Sequence, residues 1–225
     1  MKPIQAVLFD MDGTLVDSER VGQKAWAATA EEMGFEIPDD LVRAFIGRNS
    51  QSCRAMLADH LGGDADLANR VFDLHVELFL KFVETDLELK PGAIEALEAL
   101  KAAGFPLAIA TSTARVRALP RLERFDMTKY FDSITCGDEI ENGKPAPDIF
   151  VESARRLGYD PGLCAVIEDS HNGVRSGHAS GARVFMIPDI VAPTSEIEEM
   201  CAAVLPTLHE LPAAIAAVKE GTARY

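Results

Sequence analysis

Hydrophobic positions along the chain fall into two patterns. The first is a series of short, near-continuous apolar runs: Ala6–Phe9, Leu107–Ala110, Ser133–Cys136, Ala165–Ile167 and Arg183–Ile187, with a weaker one at Ala202–Leu205. Runs this short and without polar alternation are what strands covered on both faces require. The second pattern is helical. Ala93–Ala103 sets Ile94, Leu97 and Leu100 on one stripe, the spacing of an amphipathic helix. Pro147–Leu157 opens on proline and stops at Gly158, and Asn172–Ser180 stops at Gly181, which is the expected asymmetry of helix ends. Strand alternating with helix predicts an α/β protein with a parallel sheet and helices on both sides.

Residues 16–88 break that rhythm. They hold helical patterns and no convincing strand. Ser18 can cap a helix over Glu19–Met33, which Gly34 can end. Asp64–Phe82 is a long amphipathic run carrying Leu67, Val71, Leu74, Leu78 and Phe82, and Lys90-Pro91-Gly92 marks the return to the strand–helix rhythm. The expected organisation is a sheet core of residues 1–15 and 89–225 with an all-α module, residues 16–88, inserted after the first strand.

Composition narrows the function. Of 225 residues, 48% are hydrophobic and 26% charged, which is globular usage and excludes wholesale disorder. The net charge of −14 repels a phosphate backbone and anionic lipid, so neither nucleic acid nor a membrane surface is an expected partner. A small anionic substrate stays open, because a local cation inverts the field. The apolar runs are too short to span a bilayer, and the first residues lack the apolar centre of a signal peptide, so a cytoplasmic protein, monomeric by default, is expected. Cys53, Cys136, Cys164 and Cys201 are widely spaced and read as buried thiols, not as a zinc or disulfide motif.

Ligands of an open parallel sheet bind beyond the carboxyl ends of its strands, so the residues that follow each run carry the chemistry. After the first comes Asp10-Met11-Asp12-Gly13-Thr14. One carboxylate of such a pair could attack an electrophile while the other moves a proton; an acidic turn before a helix is the plainer alternative. After the second comes Thr111-Ser112-Thr113, which suits a phosphoryl oxygen, an ordinary helix cap being the favoured reading of the segment alone. Gly143-Lys144-Pro145 follows the third and offers a constrained positive charge or a solvated loop lysine. Glu168-Asp169-Ser170-His171 follows the fourth. Carboxylates at two strand ends can cage a hard cation whose remaining positions water fills. Each piece alone is weak, but the ordered set comprises nucleophile, proton donor, anion clamp and metal site.

With those motifs the chain resembles the haloacid dehalogenase superfamily, in the branch of phosphoglycolate phosphatase, sugar-phosphate phosphatases and β-phosphoglucomutase. Phe9 to Glu19, Ala110-Thr111-Ser112, Gly143 to Asp148, and Ile167 to Gly173 match the four motifs of that family in order. The resemblance implies a Rossmann-like α/β core with an inserted all-α cap domain. It also implies Mg²⁺-dependent hydrolysis of a small phosphorylated metabolite, such as a sugar phosphate or a phosphoglycolate-like compound, through an aspartyl-phosphate. Asp10 would be the nucleophile, and Asp12 the acid and then the base. Thr111 and Lys144 would hold the transferring phosphoryl group, with Ser112 among the substrate-binding residues. Mg²⁺ would sit between Asp10, the backbone carbonyl of Asp12 and Asp169, with Glu168 beside it or acting through water. Glu19, Arg48 and Asn49 are the candidates of the cap for contact with the rest of the substrate, a surface arginine being the plainer reading of Arg48.

Two neighbouring activities are weighed on single positions. Dehalogenases of the superfamily lack the second acid, so Asp12 argues for a phosphate ester. Sugar phosphomutases carry a cap histidine where this chain has Gly22, which favours hydrolysis over phosphoryl migration. A receiver-type signalling module also pairs acids with a lysine, but takes its phosphoryl group on a different strand and has no cap. His171 and His178 suit solvent or a supporting role better than Mg²⁺, Trp26 reads as packing of the cap, and Glu196, Glu198 and Glu199 read as a solvated helix face.

Overall fold

The computed structural model describes residues 3–46, 48 and 50–219. The chain enters through strand β1 (Ala6–Phe9) and runs through four helices, α1 (Ser18–Met33), α2 (Asp39–Phe45), α3 (Ser50–His60) and α4 (Ala65–Asp86). It continues as α5 (Ala93–Ala102), β2 (Leu107–Thr111), α6 (Arg115–Arg124), β3 (Ser133–Cys136) and α7 (Asp148–Leu157). The last elements are β4 (Cys164–Glu168), α8 (His171–Ala179), β5 (Arg183–Met186), α9 (Ser195–Met200), β6 (Cys201–Val204) and α10 (Leu211–Lys219). Two compact units result, one of the residues up to Val16 and from Leu89 onward, the other Asp17–Glu88. The division falls one residue later than the hydropathy pattern placed it, because backbone bridges tie Val16 to Asp12 and Leu89.

In the first unit, the six described strands form one parallel sheet in the order β3-β2-β1-β4-β5-β6. Every residue of β1, β2 and β4 is buried, which is why these segments are apolar throughout. The edge strand β6 is only partly buried, in keeping with its weaker run; it starts at Cys201, one residue earlier than expected. The chain builds outward from β1 to β3, then returns across β1 to start β4. That reversal sets the ends of β1 and β4 side by side where the strand order switches, the position at which open parallel sheets bind ligands. Ile149, Phe150 and Ala154 of α7 and Val174 of α8 pack with Leu8, Ala110, Val166 and Val184. Each large side chain so buried contributes about 1.5–3 kcal/mol. Pro147 stands at the N-cap of α7, outside its first turn.

The second unit is a helical cluster whose longest members, α1 and α4, pack together. Its core joins Trp26, Phe45, Cys53, Leu57, Val71 and Phe72, so Trp26 is a packing residue. Its ring lies 5.0 Å from Phe45 and stacks on His75 at 3.7 Å. Burial pushes the His75 imidazole down to about 3. The start of α1 departs from expectation: Ser18 lies inside the helix, Asp17 occupies the N-cap position without a side-chain cap bond, and Asp17 Oδ2 accepts from Arg20 Nε at 3.0 Å. Gly34 ends α1 at φ +73° as expected. Helix α4 begins after Asp64, whose Oδ1 accepts from Leu67 N at 2.8 Å. It runs on past Phe82 to Asp86, where Arg20 Nη2 donates to the Asp86 carbonyl at 3.0 Å and satisfies an otherwise open helix end.

Among the described residues no helix is long and apolar enough to cross a membrane. All four cysteines are free; three are buried and Cys201 is partly so. Burial pushes the thiols of Cys53, Cys136 and Cys201 up to about 11 and that of Cys164 to about 12, which keeps them protonated and unreactive. Glu196, Glu198 and Glu199 are exposed on α9.

Candidate active site

The sheet topology brings the ends of β1 and β4 side by side, and the buried acids lie there. Asp10 extends β1 by one residue and its amide donates to Ile167 O at 2.9 Å. Its carboxylate is 5% exposed and meets Lys144, whose Nζ donates to Asp10 Oδ1 at 2.5 Å and to Glu168 Oε1 at 2.7 Å. The Lys144 side chain is 5% exposed; it reaches this point from the loop before α7, and its bond to Pro145 is cis. Burial would lower a lysine here, but the charges of Asp10 and Glu168 outweigh it and hold the ammonium above the ordinary lysine range. Two carboxylates share this one ammonium. The shortfall falls on Asp10, whose carboxyl is driven above the usual aspartate range by burial and by the charges of Glu168 and Asp12, against the pull of Lys144.

Glu168 is 1% exposed, and its Oε2 is saturated. It accepts from Asp169 N at 2.9 Å, Ser170 N at 3.0 Å and Ser170 Oγ at 3.0 Å. Gly173 makes room for it, since a Cβ there would stand 1.7 Å from Glu168 Oε1. Glu168 is thus the anchor of Lys144 and has little capacity left as a direct metal ligand. Asp169 is also buried. Its Oδ1 accepts from the buried Thr14 hydroxyl at 3.0 Å, and its Oδ2 lies against Gly13, where a Cβ would come within 2.3 Å. Gly13 has φ +82°, a conformation open to glycine. The turn after β1 therefore needs glycine twice over, for its backbone and for the approach of Asp169.

Asp12 takes a different path. Its Oδ1 accepts from Arg121 Nη1 at 2.6 Å, and its Oδ2 accepts from Thr113 Oγ1 at 2.7 Å and Thr111 Oγ1 at 3.4 Å. Thr111 is buried at the end of β2, where its hydroxyl also accepts from Thr113 N at 3.1 Å. Its oxygen, expected to face a phosphoryl group, is engaged with the protein. Ser112 beside it is exposed. The Thr111-Ser112-Thr113 segment caps no helix: Ala114 precedes α6 without a side-chain cap. His171 Nε2 lies 3.0 Å from Ala192 O, a supporting contact.

The expected site residues divide accordingly. Asp10, Lys144 and Glu168 form one hydrogen-bonded group, Asp169 adjoins Glu168 along the chain, and Asp12 joins Thr111. Glu19 and Arg48 belong to the helical unit, Glu19 in the first turn of α1 and Arg48 after α2 with its Nε on Ala44 O at 2.8 Å. Asn49 lies outside the described residues. Three participants were not singled out from the sequence. Thr14 and Thr113 stand inside quoted motifs and were legible as hydroxyls next to them. Arg121 lies mid-helix with no motif around it.

A family model described as haloacid dehalogenase-like hydrolase matches residues 4–181. The chain belongs to the haloacid dehalogenase-like hydrolases. It is 38% identical over 178 residues to a phosphorylated carbohydrates phosphatase of Thermotoga maritima, covering 79% of this chain and 82% of that one. It is 32% identical over 213 residues to a phosphoglycolate phosphatase of Nitrosospira multiformis, covering 92% and 94%. A solved haloacid dehalogenase family hydrolase from Deinococcus radiodurans R1, with bound phosphate and sodium, superposes with a TM-score of 0.78 at 30% identity, covering 98% of each chain.

This hydrolase has a donor set suited to a hard divalent cation. Among the described residues no group of three or more His, Cys, Asp or Glu side chains converges on one metal-sized point. A hard cation that keeps several waters needs only one or two carboxylates, and Asp10 and Asp169 supply oxygens of that kind. The charge balance points the same way. Asp12 is paired with Arg121, whereas Asp10 and Glu168 share the one ammonium of Lys144.

Proposed function

We propose that this hydrolase is a Mg²⁺-dependent phosphatase that cleaves a small phosphorylated metabolite, a sugar phosphate or a phosphoglycolate-like compound, by forming an aspartyl-phosphate on Asp10. One observation carries the reading: the two acids after β1 are held by different cations, Asp10 by Lys144 and Asp12 by Arg121. Acids so separated can do different work, one as nucleophile and one as proton carrier.

In the first step an Asp10 oxygen attacks phosphorus while the ester P–O bond breaks, and Asp12 passes a proton to the departing oxygen. In the second, water attacks the aspartyl-phosphate, Asp12 takes its proton, the bond from phosphorus to Asp10 breaks, and inorganic phosphate leaves. Lys144 binds an oxygen of the transferring group and offsets the repulsion between two anions; the exposed Ser112 hydroxyl is suited to a second oxygen. Asp10, the backbone carbonyl of Asp12 and Asp169 would hold Mg²⁺, which supplies positive charge against the phosphoryl group. Glu168 positions Lys144. Glu19, Arg48 and Asn49 of the helical unit are assigned to discrimination between substrates.

Hydrolysis is favoured over phosphoryl migration because Gly22, in α1, has no side chain to shuttle a proton, and over dehalogenation because Asp12 is present. The test is Asp10→Asn assayed with p-nitrophenyl phosphate. Turnover should fall more than about a thousandfold with an unchanged circular dichroism spectrum, and the wild-type activity should vanish with chelator and return with Mg²⁺. Full activity in the variant, or turnover indifferent to chelator, would overturn the proposal.

A further inference from the structure

Arg121 stands 109 positions from Asp12, and nothing in its surroundings on the chain announces it. Helix α6 carries four arginines, and of these Arg121 is the buried one, beside the buried Ala118 and Leu122. It is 5% exposed. A guanidinium at that depth is costly unless it meets an anion, and the anion it meets is Asp12 Oδ1, at 2.6 Å. Thr113 Oγ1 takes the other oxygen at 2.7 Å. Donors on both oxygens fix the plane of the carboxylate as well as its place.

The two donors differ in kind. A guanidinium only donates, and it keeps its protons at any accessible pH, whereas a threonine hydroxyl donates or accepts as required. We infer that Arg121 is a positioning residue for proton transfer: it commits Asp12 Oδ1 to a permanent donor and leaves Oδ2, among the hydroxyls of Thr111 and Thr113, as the oxygen through which Asp12 passes its proton. When Oδ2 carries that proton, the Thr113 hydroxyl turns to accept it. When the ester bond breaks, the proton leaves Oδ2 for the departing oxygen, and Arg121 loses nothing. The inference rests on the reading of Asp12 as acid and base given above.

The experiment compares kcat/KM for phenyl phosphate, whose leaving group needs a proton, with that for p-nitrophenyl phosphate, whose leaving group needs it far less. Arg121→Gln, Arg121→Lys, Thr113→Val and Asp12→Asn are measured side by side, with melting curves. Arg121→Gln should lose about tenfold or more on phenyl phosphate beyond its loss on p-nitrophenyl phosphate, and Arg121→Lys should recover part of that selective loss. Thr113→Val should show the same selectivity and stands in if Arg121→Gln does not fold. Equal losses on both substrates in the Arg121 and Thr113 variants, with a selective loss in Asp12→Asn, would overturn the role of Arg121 and leave that of Asp12 intact. Equal losses in Asp12→Asn as well would overturn the reading of Asp12, and this inference with it.

Discussion

The two units bury different things. The sheet unit buries charge: Asp10, Arg121, Glu168 and Asp169 all lie below about one-tenth exposure. The buried polar residues described in the helical unit are Ser18 and Thr29, and Thr29 Oγ1 donates within its own helix to Ala25 O at 2.7 Å. Its one strongly desolvated titratable ring, His75, stays neutral against Trp26. A buried charge persists only with a specific partner in a specific place, whereas apolar contacts accept many partners. The contrast separates a region that holds paired buried charges from a region held by apolar packing.

The most damaging test of that contrast is Lys144→Met. It removes the ammonium shared by Asp10 and Glu168, and leaving buried carboxylates unpaired costs about 3–5 kcal/mol. Turnover of p-nitrophenyl phosphate should be lost as well. Urea unfolding should show the stability loss, and added Mg²⁺ should restore part of it while turnover stays absent. A variant as stable and active as the wild type would erase the distinction.

Trp26→Ala probes the other side. It empties the centre of the helical core and should cost about 3–5 kcal/mol, again by urea unfolding, with no dependence on Mg²⁺. If Mg²⁺ offsets its loss as it does for Lys144→Met, the two regions are not energetically distinct.

The smallest effect is a pH dependence. The His75 imidazole titrates near 3 in the folded chain against an ordinary 6.5. Below 6.5 the unfolded chain takes up a proton that the folded chain refuses. The stability present above 6.5 is therefore lost progressively as pH falls towards 3. His75→Phe removes this component, so its urea midpoint should drop less than the wild-type midpoint between pH 7.5 and pH 5. Equal drops would show that His75 is already charged, or hydrated, in the native state.

Much of the fold is legible in the sequence. Continuous apolar runs marked β1, β2, β3, β4 and β5 to within about a residue, because burial on both faces is a local requirement written at each position. Asp10, Asp12, Glu168 and Asp169 announced themselves by following those runs, and family membership explains why they stand in that order. The start of α1 lies one residue earlier than the pattern places it, because Asp17 and Ser18 are both good cap types and propensity alone does not choose between neighbours.

What the chain determined alone was therefore its alternation of elements, the insertion of a helical module and the acids, hydroxyls and lysine available at strand ends. Which of them touch was decided by tertiary structure. Lys144 reaches Asp10 across 134 positions and Arg121 reaches Asp12 across 109. Periodicity says which face of a helix is buried, not which charge it will find there. That depends on the crossing order of the strands and on the register that sets one strand end beside another.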